Sequence, residues 1–396
     1  MKIEINKIKL PPKNLDFGFC VYGELTQELI DWCCYWNFST EKVGPYTNIY
    51  LNPNSDTNFF DIFDNHVSYA YGDFFSPNLN KHLHLGHLSN LIIAKSLQSL
   101  GIADSTIAIL GDTLEGAVTK EDALEKFNEY CSKFGYEVEE IFFASGQKLK
   151  KSKKILKNGK DDYKGTKVFE ISEDEKIVGK KSDGSTSYFY QDVALAQKLN
   201  APTLYLTGTE QIGHFNSLKK LFPYINHIGL GLVLVDGKKM SSSNGNVYLM
   251  EDVLEIVKAK FNNDEKLAWN VLCGFILKYD LPSTKDIKLK DIDNVKLSQG
   301  LYLSYTMARL KSAGMKPHYK QNFNSKLLQF KLLRAMTMVK PHLLFEELVE
   351  LCAQINKLYI DHHISGNEEN QKMFQPLLDD LELGMSLLGM FEINKV

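Results

Sequence analysis

From residue 67 onward the chain alternates short apolar runs with stretches whose apolar residues recur every three to four positions, the pattern of strands joined by crossover helices. The first such run covers residues 67–75. A helix is predicted from about residue 87 to 100, because Leu88, Leu91, Ile92 and Leu97 fall on one face. Residues 106–110, 203–207 and 228–235 read as further strands of the same sheet. Beyond residue 258 the period changes. Apolar positions repeat with helical spacing over 268–278, 298–312, 327–338, 345–359 and 374–388, which predicts a helical bundle for the last third. The segment before residue 67 is short and mixed, with a turn-rich stretch at 52–56; its aromatic residues Trp32, Tyr35, Trp36, Phe59, Phe60 and Phe63 require something to pack on. The pattern divides the chain into an appended region over 1–66, an α/β domain over 67–258 and an all-α bundle over 259–396.

With 396 residues, 44% hydrophobic and 24% charged, the composition supports a buried core and excludes a disordered or fibrous chain. Forty-six Lys and Arg against 49 Asp and Glu leave a net charge of −3, so a nucleic-acid partner would have to be met by a local patch. One basic run exists: Lys148, Lys150, Lys151, Lys153, Lys154, Lys157 and Lys160. Two meanings stay open for it, a solvated face and a contact with RNA phosphates. No apolar run approaches the roughly 20 residues that span a bilayer, and the first residues lack the apolar core of a signal peptide; the expected location is the cytoplasm. The six cysteines are scattered without a C-x-x-C pair, which indicates neither a zinc ribbon nor a disulfide framework, and no protein-held metal is expected.

The sharpest chemical signal is S-P-N-L-N-K-H-L-H-L-G-H at residues 76–87, between a predicted strand and a predicted helix. It puts His84, Gly86 and His87 at a helix N-terminus, where partial positive charge and unbonded backbone N–H groups suit a phosphate. Gly86 admits a close approach to the backbone, and the imidazoles offer donors to a transferring phosphoryl group. A capping or half-buried role is the bland alternative for such a pair. A second segment, V-D-G-K-K-M-S-S-S-N-G-N at 235–246, places two lysines and three serines between glycines, a composition suited to closing over a triphosphate. Alone it would read as a solvated turn, but the two together are a rare conjunction.

These segments resemble the H-I-G-H and K-M-S-K-S signatures of class I aminoacyl-tRNA synthetases, and the surrounding text is most similar to arginyl-tRNA synthetase. The segment at 182–192, S-D-G-S-T-S-Y-F-Y-Q-D, resembles that family's S-D-G-x-x-x-Y-x-x-R-D. Residues 208–215, G-T-E-Q-I-G-H-F, resemble its G-x-E-Q-x-x-H-F, residues 301–310 its G-P-Y-x-Q-Y-x-x-A-R-I helix, and residues 387–390 its near-terminal L-L-G-I. The likeness extends over residues 43–396. It implies a Rossmann-like catalytic domain with a short insertion near 112–180, followed by a bundle of the anticodon-binding kind, with both ends of the chain shortened. The activity implied is ATP-dependent activation of arginine, with magnesium carried by the ATP, and transfer to tRNA. The resemblance also leaves open a shortened paralog that passes arginine or a related guanidino acid to another acceptor.

Carried over residue by residue, the resemblance assigns His84, His87 and Lys239 to catalysis. It assigns Lys81, Leu85, Gly86, Met240, Ser241 and Ser243 to ATP, and Asp73, Asn78, Tyr188, Asp192 and Gln211 to the amino acid. Two carboxylates and a phenol suit a guanidinium. Three positions depart from the family pattern. The G-D-W-G block is reduced to Gly111 and Asp112 followed by T-L-E-G, Gln191 replaces an Arg beside Asp192, and Ser242 replaces the second Lys of K-M-S-K-S. Lys81 or Lys238 is the candidate to offset that last loss.

Overall fold

The computed structural model describes residues 2–9, 18–50, 59–64, 69–78, 83–110, 120–143, 146–149, 155–160, 163–239 and 248–396. Five strands pair in parallel in the order Ile225–Leu230, Thr203–Gly208, Tyr69–Asp73, Ala103–Leu110, Glu140–Phe143. Counted along the chain this is 5-4-1-2-3, the doubly wound order. Right-handed crossovers send connections on the two sides of the first strand to opposite faces. Helices Leu85–Ser99 and Lys120–Lys133 accordingly share one core with Ala108, Leu110, Leu204 and Leu206. Helices Tyr188–Leu199 and Ile212–Leu221 cover the other face, over Ile107, Phe142 and Tyr205. Alternate residues of a strand face opposite ways, so a sheet buried on both sides needs the continuous apolar runs seen in the sequence. Between the third and fourth strands, Leu156–Asn158, Lys167–Glu170 and Lys176–Lys180 form a small antiparallel sheet of their own.

The C-terminal helices are Glu265–Leu277, Gln299–Ser312, Lys326–Met338, His342–Asp361 and Glu368–Leu387. They overlap the five predicted windows; four begin earlier, and in Glu265–Leu277 and Glu368–Leu387 this is because a capped first turn is polar and leaves no apolar period. Asp264, for example, accepts the Leu267 N–H at 2.9 Å ahead of the first apolar residue of its helix. The α/β class with a helical last third is therefore the fold.

The apolar run at 228–235 departs from expectation. It is not one strand: Ile225–Leu230 ends at the edge of the central sheet, and Val233–Val235 enters another sheet between Lys238–Lys239 and Lys285–Ile287. The break is at Gly231, whose N–H donates to Leu281 O at 3.0 Å. A Cβ there would lie 2.2 Å from Ser283 O and 2.5 Å from Pro282 O, so only glycine admits this crossing. Beneath it Lys285 is 0% exposed, and its ammonium donates to Leu281 O (2.8 Å) and Ser283 O (3.0 Å). Burial pulls this lysine down to about 8.

The first 64 residues contain an antiparallel sheet of Gly18–Tyr22, Tyr46–Tyr50 and Ser39–Val43 with helix Gln27–Tyr35. Their partner is distant in sequence. Phe19, Trp32 and Phe63 share a core with Phe330 and Leu333 of helix Lys326–Met338, with the Phe19 and Phe330 rings 5.4 Å apart. The Trp32 indole N–H is satisfied by Ile62 O at 3.0 Å.

Replacing Gly231 by Ala forces the 231–233 crossing away from residues 281–283, so urea unfolding should show a loss of about 1–3 kcal/mol, the scale of overpacking. Gly213→Ala, where no atom lies within 4 Å of the new Cβ, should not lower stability. Equal midpoints for Gly231→Ala and wild type would remove this account of the break.

Candidate active site

Helix Leu85–Ser99 starts at a histidine instead of the usual Ser, Thr, Asp or Asn. His84 Nδ1 accepts the Gly86 N–H at 3.1 Å, and His87 Nδ1 accepts the His84 N–H at 3.1 Å, a reciprocal cap built from two imidazoles. A Cβ on Gly86 would lie 2.8 Å from His84 Cε1, so glycine lets the ring fold over the helix end. With both Nδ1 atoms accepting, the hydrogen bonds assign the proton of each neutral ring to Nε2. Burial, with His84 beside it, lowers His87 to about 4, so it is neutral at pH 7. The rings lie 4.1 Å apart.

These groups open into a cavity of about 440 Å³ at the carboxyl ends of the first and fourth strands, where the strand order reverses. Ligands of doubly wound sheets sit at such a switch point. Asn78, His84, Gly86 and His87 line one side, Thr207, Glu210 and Gln211 another, and Gly231 and Lys239 a third. Sequence segments about 150 residues apart thus meet. The chain is fastened on both sides of residues 240–247. Lys239 lines the cavity, while Leu85 N donates to Tyr248 O at 3.0 Å and Met250 N to Leu83 O at 2.9 Å.

The residues assigned from the sequence separate into four groups. Asn78, His84, Gly86, His87, Gln211 and Lys239 share the cavity. Leu85 does not line it: its side chain is 0% exposed in the core and its N–H is committed to Tyr248. Asp73, Asp192 and Tyr188 lie off the cavity on the sheet face covered by helix Tyr188–Leu199. Asp73 pairs in register with Tyr205 and Ile107, which fixes its side. It is 4% exposed and accepts a hydrogen bond from the Ser76 hydroxyl, and Ser76 Oγ accepts the Ile109 N–H at 2.7 Å. Burial pushes the Asp73 carboxyl up to about 7, the Ser76 bond opposes the shift and the Asp192 charge adds to it. Asp192 is hydrogen-bonded to His214, and Tyr188, one turn earlier on the helix, is 66% exposed. Lys81, Met240, Ser241 and Ser243 lie outside the described residues, as do Gly111, Asp112, Ser242, Lys150, Lys151, Lys153 and Lys154.

Sequence reasoning passed over Glu210, Thr207 and His214. Glu210 and His214 stand in the same 208–215 segment as Gln211, so the segment was visible but not the way its 3₁₀ turn at Thr209–Gln211 and the following helix distribute it. Tyr205 was hidden in an apolar run. It is 1% exposed, and its hydroxyl has no hydrogen-bond partner among the described residues.

No family model matches the chain. An arginine–tRNA ligase of Limosilactobacillus fermentum is 28% identical over 260 residues, 53% of this chain and 46% of its own length. Arginine–tRNA ligase 1 of Bacillus thuringiensis subsp. konkukian is 27% identical over 383 residues, 68% of each chain. The chain spans about half the length of the first curated relatives it matches. Among solved structures, the arginyl-tRNA synthetase of Thermus thermophilus superposes with a TM-score of 0.65 over 98% of this chain and 96% of that one, at 15% identity, a likeness of fold.

The two shifted groups tilt stability in opposite directions. The Asp73 carboxyl, raised from 3.8 to about 7, holds its proton more tightly in the folded state, so its contribution is lost as pH rises between those values. His87, lowered from 6.5 to about 4, favours the folded state while neutral and is lost as pH falls through that window. Asp73→Asn should therefore gain stability over wild type by roughly 2–4 kcal/mol between pH 4 and 7, at 1.36 kcal/mol per unit, and level off above. Urea titrations of both proteins across that range check this; a difference that does not change with pH would contradict the burial of a neutral carboxyl.

Proposed function

The chain is a relative of the class I arginyl-tRNA synthetases, and from that premise we propose that it activates arginine with ATP and passes the arginyl group to tRNA. The observation that carries the reading is the cavity at the strand-order reversal, lined by a helix start with two imidazoles, by Gln211 and by Lys239. In this reading ATP enters with magnesium on its phosphates, as part of the substrate. The α-phosphate meets the N-terminus of helix Leu85–Ser99 and the Nε2–H donors of His84 and His87. Gly86 gives the nucleotide access to the backbone. Arginine's carboxylate oxygen attacks the α-phosphorus, the bond to the bridging oxygen breaks and pyrophosphate leaves beside Lys239. A terminal ribose hydroxyl of tRNA then attacks the arginyl carbonyl, and AMP departs. Neutral imidazoles donate without being charged beforehand, so their interaction grows as negative charge develops on the phosphoryl oxygens.

Arginine in this reading is held by Asn78 and Gln211 at the cavity and by Asp73, Tyr188 and Asp192 around its guanidinium. Met240, Ser241 and Ser243, with Lys81, complete the ATP site. Residues 1–66, 67–258 and 259–396 act as three units, with the insertion near 112–180 toward the RNA acceptor end, and the work is cytoplasmic. No described helix is long and apolar enough to cross a membrane.

Arginine-dependent ATP–pyrophosphate exchange tests the first step. His84→Ala and His87→Ala should each lower its rate by roughly 10² to 10³, the scale of one preorganised donor, and unchanged rates would end the catalytic assignment. Charging of arginine tRNA tests the second. Replacing Lys150, Lys151, Lys153 and Lys154 by Gln should weaken tRNA binding and flatten its dependence on salt, by about one unit of log–log slope for each phosphate that is no longer neutralised. Exchange without tRNA binding or charging at low salt would assign the activated arginine to another acceptor.

A further inference from the structure

Asp192 is gripped by a side chain that no assignment above includes. His214 Nε2 lies 2.6 Å from Asp192 Oδ2, with the two side chains only 27% and 21% exposed. The residues come from different elements, Asp192 from helix Tyr188–Leu199 and His214 from helix Ile212–Leu221. The imidazole is itself wedged: Phe189 and Phe215 meet it at steep angles, each with centroids 5.2 Å away. Phe215 stacks on His227 at 4.4 Å and 10°, and His227 Nε2 lies 2.8 Å from Thr207 Oγ1. Thr207 lines the nucleotide cavity. A column of rings therefore runs from the cavity wall to the Asp192 carboxylate.

A carboxylate rotates broadly about its last bond, and a receptor for a planar cation needs that rotation stopped before the ligand arrives. The geometry points to His214 as a positioning residue for the amino-acid subsite. It donates from Nε2 to Asp192 Oδ2, fixes the carboxylate plane and leaves Oδ1 to receive the cationic side chain of the substrate. The charged imidazole and the Nε2–H tautomer of the neutral one both carry the proton that this bond needs. The ring column makes the hold rigid, because turning His214 away requires displacing Phe215 against His227. The inference rests on the reading of Asp192 as part of the arginine subsite and adds the group that makes it selective.

The test is pyrophosphate exchange with the KM for arginine, the KM for ATP and kcat measured separately. His214→Leu should raise the arginine KM by roughly 10- to 100-fold, the effect of losing a partner that orients a ligand-bearing group, with the ATP KM and kcat nearly unchanged. His214→Gln, whose amide nitrogen reaches the place of Nε2, should restore the arginine KM to within a few-fold; His214→Asn, which is too short, should not. If His214→Leu fails to fold, the Gln and Asn pair decides. Gln and Asn variants alike in arginine KM, or a Leu variant that changes both KM values and kcat together, would overturn the positioning role. Asp192→Asn separates the two levels. If it raises the arginine KM while His214→Leu does not, the subsite reading stands and this inference falls. If it leaves the arginine KM unchanged, both fall.

Discussion

Neighbouring strands whose chains depart to opposite faces of a sheet leave a crevice that no crossover helix fills, and this protein hangs every group of its cavity on that crevice. Strand Tyr69–Asp73 turns toward helix Leu85–Ser99 on one face, and strand Thr203–Gly208 turns toward helix Ile212–Leu221 on the other. The parting follows from right-handed crossovers alone. Two later stretches of the chain bound the open side. The crossing at Gly231 brings the Lys238–Lys239 hairpin across the mouth, and the return of the chain at Tyr248–Met250 ties it to the foot of the histidine helix.

The parts of this arrangement that were legible in the sequence are those encoded by period. Strands 69–73 and 203–208 and the five C-terminal helices carry apolar repeats strong enough to name their type. The two histidines were legible as helix-start residues because Gly86 and the apolar face of Leu88, Leu91 and Ile92 flank them. What was not legible depends on partners far along the chain. The run at 228–235 has uniform apolarity, and nothing local says that Gly231 must meet Ser283. The aromatic residues of the first 64 positions announced a need for burial, yet Phe330 and Leu333, which help satisfy it, read locally as one face of a bundle helix. The burial of Asp73 beside Tyr205, off the cavity lining, is likewise a matter of strand register, which no local pattern announces.

Burial distinguishes two kinds of ionisable residue in this chain, and the difference lies in how completely their partners are supplied. Lys285 is enclosed, but two carbonyls meet its ammonium. Asp379 and Asp380, each 2% exposed, accept from the backbone N–H groups of His318, Asn324 and Ser325 and so pin the loop that precedes helix Lys326–Met338. Such groups are answered by the fold itself, and their cost is offset where they stand. Asp73 differs. A single serine meets it, the charge of a second carboxylate opposes its ionisation, and the neighbouring Tyr205 hydroxyl, wholly buried, has no hydrogen-bond partner among the described residues. A region with an orphan phenol and two acids, one of them pushed up to about 7 by burial, is incomplete as a folding unit. In the proposed arginine reading, a cation with several N–H donors would complete it by supplying the partners that Asp73 and Tyr205 lack. On that reading the same incompleteness would be a cost that the folded protein carries until its ligand arrives, the relation between stability and function expected of a binding site rather than of a core.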